Sequence, residues 1–267
     1  MTPKRVVIVY KEKIGESMKY LAVDSSTKAL SVALIEDTAV VAENTLLPQQ
    51  QHGVLLVPAV AQLLEQMNWK TSDLEGLLVG VGPGSYTGLR IGVTFAKTWA
   101  NSKKLPIASV SSLALIAAAS LPLGENVSVL PVMDARRLSA YTAIYKWDTE
   151  EKLVSVVADS HVDWREWLPT VSEHLGEQVV LVGTGIEEFV EAFQEIYPDK
   201  TVEVITDWAA WPHAGRAVLC PRELVAEPTL LAPNYAHATL AEREWAEKNN
   251  TTIASEKDNE AFIEHFT

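Results

Sequence analysis

Two short segments of this sequence hold the residue types that phosphate and cation chemistry needs. Asp24-Ser25-Ser26-Thr27 follows the apolar run Leu21-Ala22-Val23. A carboxylate oxygen suits a hard cation, and a tight turn after a strand can aim hydroxyls and backbone N–H groups at an anion. The second segment runs from Gly80 to Gly92 (GVGPGSYTGLRIG) and carries five glycines in 13 residues. Glycine permits positive φ angles and close backbone approach, and Gly84 and Ser85 stand where a loop leads from a strand into a helix, a place where N–H groups can receive an anion. Each segment also has a plainer reading. Asp24–Thr27 can be an Asx or Ser turn bonded to its own backbone, and spacing alone favours a structural turn for the glycine-rich loop. It is not a P-loop, since no GK[ST] follows. Its GxGxxxG spacing is not the dinucleotide fingerprint, and Pro83 stands where a nucleophile elbow needs glycine.

A third candidate is Asp134, followed by Ala135-Arg136-Arg137. It lies at the end of a second apolar run, and its two arginines could meet a phosphate. The six histidines are His52, His161, His174, His213, His237 and His265. No two stand four residues apart, so a helical His-x-x-x-His metal site is absent from the sequence. His52, alone at a helix start after Gln49-Gln50-Gln51, reads as a cap or hydrogen-bond partner.

The elements that must position these residues recur. Strands are expected at 21–24, 29–35 and 39–46, then a helix over 53–67, a strand over 74–81, a helix over 89–100 and a strand over 106–110. Ser111-Ser112 caps an apolar helix that runs through Ser120. The second half follows with strands at 129–134, 140–146 and 153–158, a helix from Asp163 to about His174, a strand at 179–182, a helix over 187–197 and a strand at 202–205. Short helices over 214–219 and 239–249 complete the chain. A shift of 110 residues lays Asp24 on Asp134 and Ala33 on Ala143, and one of 103 lays Leu78–Gly82 on Leu181–Gly185. Such internal repetition constrains the fold strongly. It points to two α/β lobes with mixed sheets, the plan of the actin-like ATPases and sugar kinases, in which Asp-bearing hairpins face a cleft.

Composition narrows the partners. The 267 residues carry a net charge of −13, with 35 acids against 22 bases. A surface this acidic repels phosphate backbones and anionic lipids, which disfavours a broad nucleic-acid or membrane contact. Four of the bases and only two of the acids fall in residues 1–17, so the remainder is more acidic still. That first stretch has no signal-peptide pattern. Met18 precedes the first buried strand, and the folded unit is expected to begin there. The one cysteine, Cys220, cannot close an internal disulfide, which fits a reducing, cytoplasmic setting. The eight tryptophans read mostly as packing residues.

The run VGVGPGSYTGLRIG closely resembles the signature of the TsaB (YeaZ) family. So do MKYLAVDSST, HGVLLVPAVAQLL and VMDARRLSAYTAIY, and the likeness spans Met18 to about Tyr235. The resemblance implies the actin-like fold. It also implies a role in threonylcarbamoylation of adenosine 37 in tRNAs that read ANN codons. In that family the paralogue TsaD carries the catalytic site and its metal, and the ATPase TsaE joins the pair. The present chain would then be a non-catalytic subunit with no cofactor of its own. It would pair directly with TsaD, meet TsaE in the ternary complex, form a homodimer, and contact tRNA only indirectly.

By the same resemblance, the nucleotide contacts of the fold would be degenerate and would fall on Asp24, Ser26, Thr27, Gly84, Ser85, Asp134 and Arg136. The segment Thr184-Gly185-Ile186-Glu187 resembles the adenosine loop of active ATPases only poorly. Pro233-Asn234-Tyr235-Ala236-His237 departs from the family's Pro-x-Tyr-Leu-Arg. The helix over 53–67 is apolar nearly all round, so a partner is expected to cover one face. The interface residues read from it and from the next helix are His52, Leu55, Leu56, Val60, Leu63, Arg90, Phe95, Lys97 and Trp99. The expected organisation is an N-terminal extension (1–17), a first lobe (18–115), a second lobe (116–235), a returning helix (236–250) and a polar tail (251–267). The rival reading is a small-molecule kinase of the same superfold, using Asp24 and the GPGSYTG loop.

Overall fold

The computed structural model describes residues 17–236 apart from positions 50, 123 and 125. The extension, the returning helix and the polar tail lie, but for Ser17 and Ala236, outside the described residues.

The chain opens with β1 (Lys19–Asp24), β2 (Leu30–Glu36) and β3 (Ala39–Leu46), an antiparallel meander. Its tight turn places Asp37 in the left-handed region, where a short polar side chain is tolerated. After α1 (His52–Gln66), β4 (Gly76–Gly80) pairs parallel to β1. α2 (Tyr86–Lys103) follows, and β5 (Ile107–Val110) pairs parallel to β4. The short helix α3 (Ser112–Ala117) leads out of this lobe.

The plan then repeats. β6 (Val127–Asp134), β7 (Ser139–Trp147) and β8 (Leu153–Asp163) form the second meander. After α4 (Trp164–Thr170) come β9 (Gln178–Val182), α5 (Glu187–Ile196) and β10 (Thr201–Ile205). The second sheet has the order β10-β9-β6-β7-β8, which matches β5-β4-β1-β2-β3 of the first strand for strand. The duplication expected from the sequence is present in the topology, with Asp24 and Asp134 ending equivalent central strands.

The first sheet has a sixth strand that the sequence reading lacked. β11 (Arg222–Val225) adds antiparallel to β5, although it follows the whole second meander in sequence. The helices read at 111–120 and 163–174 are shorter than expected. α3 gives way to a 3-10 turn at Ala118–Ser120. α4 stops beyond Pro169 and a 3-10 turn follows at Ser172–His174, as expected where proline removes a helix donor. The segment 214–218 is a 3-10 turn, and it packs on β2.

Burial divides the molecule into five layers. α1 and α2 cover the outer face of the first sheet, and α4 and α5 cover the outer face of the second. Between the sheets lies one shared core, in which Tyr20, Ala33 and Leu78 meet Val129, Tyr145 and Val180 around α3. Every residue of α3 is buried.

Candidate functional site

The two motifs that promised ligand chemistry bind each other. Asp24 is fully buried at the end of β1. Its Oδ1 accepts from the Ser26 N–H at 2.9 Å and the Ser26 hydroxyl at 2.8 Å, an Asx turn. Its Oδ2 accepts from the Ser112 hydroxyl at 2.6 Å. Ser112 Oγ in turn accepts from Gly82 N at 3.1 Å. Ser25 Oγ donates to Gly88 O at 2.8 Å and accepts from Gly92 N at 3.1 Å. The glycines make this fit possible by lacking a side chain. A Cβ at Gly80 would overlap the Asp24 carboxylate, and one at Gly88 would overlap the Ser25 carbonyl; Gly84 and Gly92 stand as close to Ser26 and Ser25. The loop that could have cradled an anion therefore cradles the Asp24–Ser26 turn of its own chain. Thr27 Oγ1 accepts from Ala29 N at 3.1 Å, and Ser85 Oγ caps α2 by accepting from Gly88 N at 3.3 Å.

This arrangement does not fit a metal-bound nucleotide. Both carboxylate oxygens of Asp24 already accept hydrogen bonds inside the protein, and burial raises its pKa against the opposing effect of those bonds. Among the described residues no group of three or more His, Cys, Asp and Glu could hold a metal ion.

The equivalent turn of the second lobe is open. Asp134 is exposed, and its Oδ1 accepts from Arg136 N at 2.7 Å. Arg136, Arg137 and Leu138 all take positive φ, a run uncommon for residues with side chains. The turn borders a cleft of about 1250 Å³ between the lobes. Ser26, Thr27, Lys28, Gly84 and Ser85 line one wall, and Asp134, Arg136, Gly183, Thr184 and Trp211 line the other. Of the nucleotide-contact residues named from the sequence, all but Asp24 face this cleft. Asp24 lies behind the wall, behind Ser26.

The interface residues separate into buried and exposed sets. Leu56, Val60 and Leu63 are 2%, 1% and 3% exposed, packed on the first sheet with Ala59 and Leu64. They are core, each contributing about 1.5–3 kcal/mol by burial. His52 is buried and its Nε2–H donates to Ala29 O at 3.2 Å. Leu55 is half-buried. The large apolar side chains of α1 that stand exposed are Val54 and Val57, at 70% and 57%. On α2, Phe95 and Trp99 are half-buried and meet edge to face at 5.3 Å. Lys97 Nζ donates to Leu231 O at 3.2 Å. Arg90 is exposed, and its guanidinium lies over the Tyr86 ring, which stacks on Tyr235 at 4.9 Å.

The sequence reading missed two polar clusters. Ser111, Tyr145 and Asp159 meet beside α3. Glu43 of β3 accepts from Gly215 N at 2.8 Å and lies 3.2 Å from His213 Nδ1, which ties the late segment to the first lobe. Only the cap role of Ser111 was visible beforehand; its partners are distant in sequence.

Two lobes of one plan, stacked around a shared core with a cleft between their Asp-bearing turns, define a protein of the actin-like ATPase fold. A solved structure from Pseudomonas aeruginosa, described as an uncharacterized protein with similarity to peptidase YeaZ, superposes with a TM-score of 0.65 at 24% identity. It covers 82% of this chain and 100% of that one. The family model for TsaD, tRNA N6-adenosine threonylcarbamoyltransferase, matches residues 40–255. The tRNA threonylcarbamoyladenosine biosynthesis protein TsaB of Bacillus subtilis strain 168 is 33% identical over 231 residues, 86% of this chain and 99% of that protein. Its counterpart in Escherichia coli K12 is 31% identical over 74% of this chain and 76% of that protein. The chain belongs to the TsaB (YeaZ) family.

Proposed function

We propose that this protein is the non-catalytic scaffold and activator of a TsaD partner in the threonylcarbamoylation of adenosine 37 in tRNAs reading ANN codons. The observation that carries this reading is the internal engagement of Asp24. In an ATPase of this fold the equivalent carboxylate must face the cleft, whereas here Ser112 and Ser26 hold it behind the wall. Family membership supplies the pathway. ATP and metal belong to the partner subunits. The acidic charge suits a subunit that touches its partner and leaves the RNA to TsaD. We place the protein in the cytoplasm. Among the described residues no helix is long and apolar enough to cross a membrane.

The partner surface is the solvent face of α1 and the adjoining start of α2, with Val54, Val57, Tyr86 and Arg90 in place of the buried Leu56, Val60 and Leu63. The same surface forms the homodimer, and TsaE joins the ternary assembly.

Co-purification with the TsaD of the same organism tests the reading. Val57→Asp should keep the fold, since the side chain is exposed, and lose TsaD. Undiminished pairing by Val54→Asp/Val57→Asp would overturn the surface. Calorimetry with ATP and magnesium tests the kinase alternative, which the cleft itself favours. Tight binding by the isolated protein, lost in Asp24→Asn, would favour the kinase and overturn the scaffold.

A further inference from the structure

We infer that Ser111 and Ser112 form a two-sided joint that locks the angle between the lobes, so that the cleft has a built-in width instead of opening and closing around a ligand. The inference rests on the interlobe geometry and holds whether or not the scaffold reading does.

The two serines are adjacent, yet each grips the opposite lobe. Ser112 Oγ donates to Asp24 Oδ2 at 2.6 Å and accepts from Gly82 N, while its own N–H donates to Gly82 O at 2.9 Å. It is thereby fixed to β1 and the glycine-rich loop of the first lobe. Ser111 Oγ donates to Asp159 Oδ2 at 2.5 Å, on β8 of the second lobe. Tyr145 of β7 donates to the other oxygen, Asp159 Oδ1, at 2.7 Å, and its hydroxyl lies 3.2 Å from Ser111 Oγ. Ser111 also caps α3, accepting from Leu113 N and Ala114 N at 3.1 and 3.2 Å.

The other end of α3 is held as firmly. Arg216 donates to Leu115 O at 3.2 Å and to Ala209 O and Trp211 O at 2.7 and 3.1 Å. A cation on a late helical carbonyl is favourable in itself.

Rigidity follows from what an opening would break. Rotation about 111–112 must either part Asp159 from Ser111 or part Asp24 from Ser112. The second leaves the buried Asp24 carboxylate short of a partner, which is costly where water cannot replace it, and the first takes a donor from the half-buried Asp159. It must also slide α3 out of a core that both sheets share. Domain closure in hinge proteins instead uses a few lightly packed residues that absorb the rotation.

The test is the distance between spin labels on the full chain at Gln62→Cys and Glu191→Cys, exposed sites on the outer helices of the two lobes. Cys220 is buried, and its thiol is pushed up to about 12, so it escapes labelling. The parent should show one narrow distance, unchanged by ATP. Ser111→Ala/Ser112→Ala should broaden the distribution by about two-fold or more, whereas Tyr145→Phe, which keeps both serine bonds, should not. A broad parent distribution, or a folded double variant as narrow as the parent, would overturn the joint. Should the double variant fail to fold, hydrogen exchange on the parent decides. Amides 113–117 should exchange as slowly as those of β1 and β6, and exchange as fast as in the edge strand β10 counts against the proposal.

Discussion

Asp24 and Asp134 end equivalent strands of a duplicated plan and each accepts from the N–H two residues on, yet one carboxylate is buried and the other exposed. At Asp24 the following loop closes down. Glycines at 80, 84, 88 and 92 let α2 and its leading loop come within contact of the turn, and Ser112 seals the last oxygen. At Asp134 no loop among the described residues closes down over the carboxylate. The counterpart loop, Gly183-Thr184-Gly185, packs Gly183 against the Val132 carbonyl instead of the aspartate, and α5 starts without a side-chain cap. Duplication thus preserved the backbone and not the site. One copy of the turn became a structural joint, and the other stayed a polar wall of the cleft. A motif of the right residue types is no evidence of a ligand until its own chain has been ruled out as the occupant.

The largest effect that could break this comparison comes from the glycines. Gly80→Ala places a methyl in the Asp24 carboxylate, and neither group can retreat from the core. It should cost about 3 kcal/mol or more, or abolish soluble expression. Gly185→Ala, at φ 68 with open space around it, should cost only about 1–2 kcal/mol for the left-handed backbone. Comparable denaturant midpoints for the two variants would dismiss the asymmetry.

Removing the aspartates comes next. Asp24→Ala leaves the Ser26 and Ser112 donors buried without an acceptor and should cost about 2–4 kcal/mol in urea unfolding. Asp134→Ala removes one exposed turn bond and should cost about 0.5 kcal/mol.

The smallest effect is a pH dependence. Burial raises the Asp24 pKa in the folded state, so the native protein holds that proton more tightly than the unfolded chain does. Its contribution to stability is full below about pH 3.9 and is lost as pH rises through the higher folded value. Asp24→Asn lacks this titration. The stability advantage of the parent over Asp24→Asn should therefore shrink as pH rises above about 4. An advantage that grows with pH would mean that the carboxylate is held in its charged form, as a cation site requires.

Much of the architecture was legible because it rests on periodicity. The meanders, the crossover helices and the repeat are written as apolar runs with turn residues between them. β11 was not legible. Arg222-Glu223-Leu224-Val225 is short, mostly exposed and takes its place only because β5 presents an open edge. The motifs were visible as residue types, but their occupant was not. Ser25 meets Gly88 across 63 positions, and Ser112 meets Asp24 across 88. The interface choice shows the same limit. A helix apolar all round says that much of it is covered and does not say which side, so the sequence points to Leu56, Val60 and Leu63 where Val54 and Val57 are the large apolar residues exposed.

The placement of β11 also bears on how the protein is made. The strand that completes the first sheet is the last one described, so β5 waits with an open edge while the entire second meander is synthesised. At a translation rate of about 5–20 residues per second, that interval lasts several seconds or more. During it the first lobe offers an unpaired parallel edge to any passing strand, the exposure that favours misassembly and chaperone capture. The nascent chain should therefore reach its most vulnerable point between the exit of residue 110 and that of residue 225 from the ribosome.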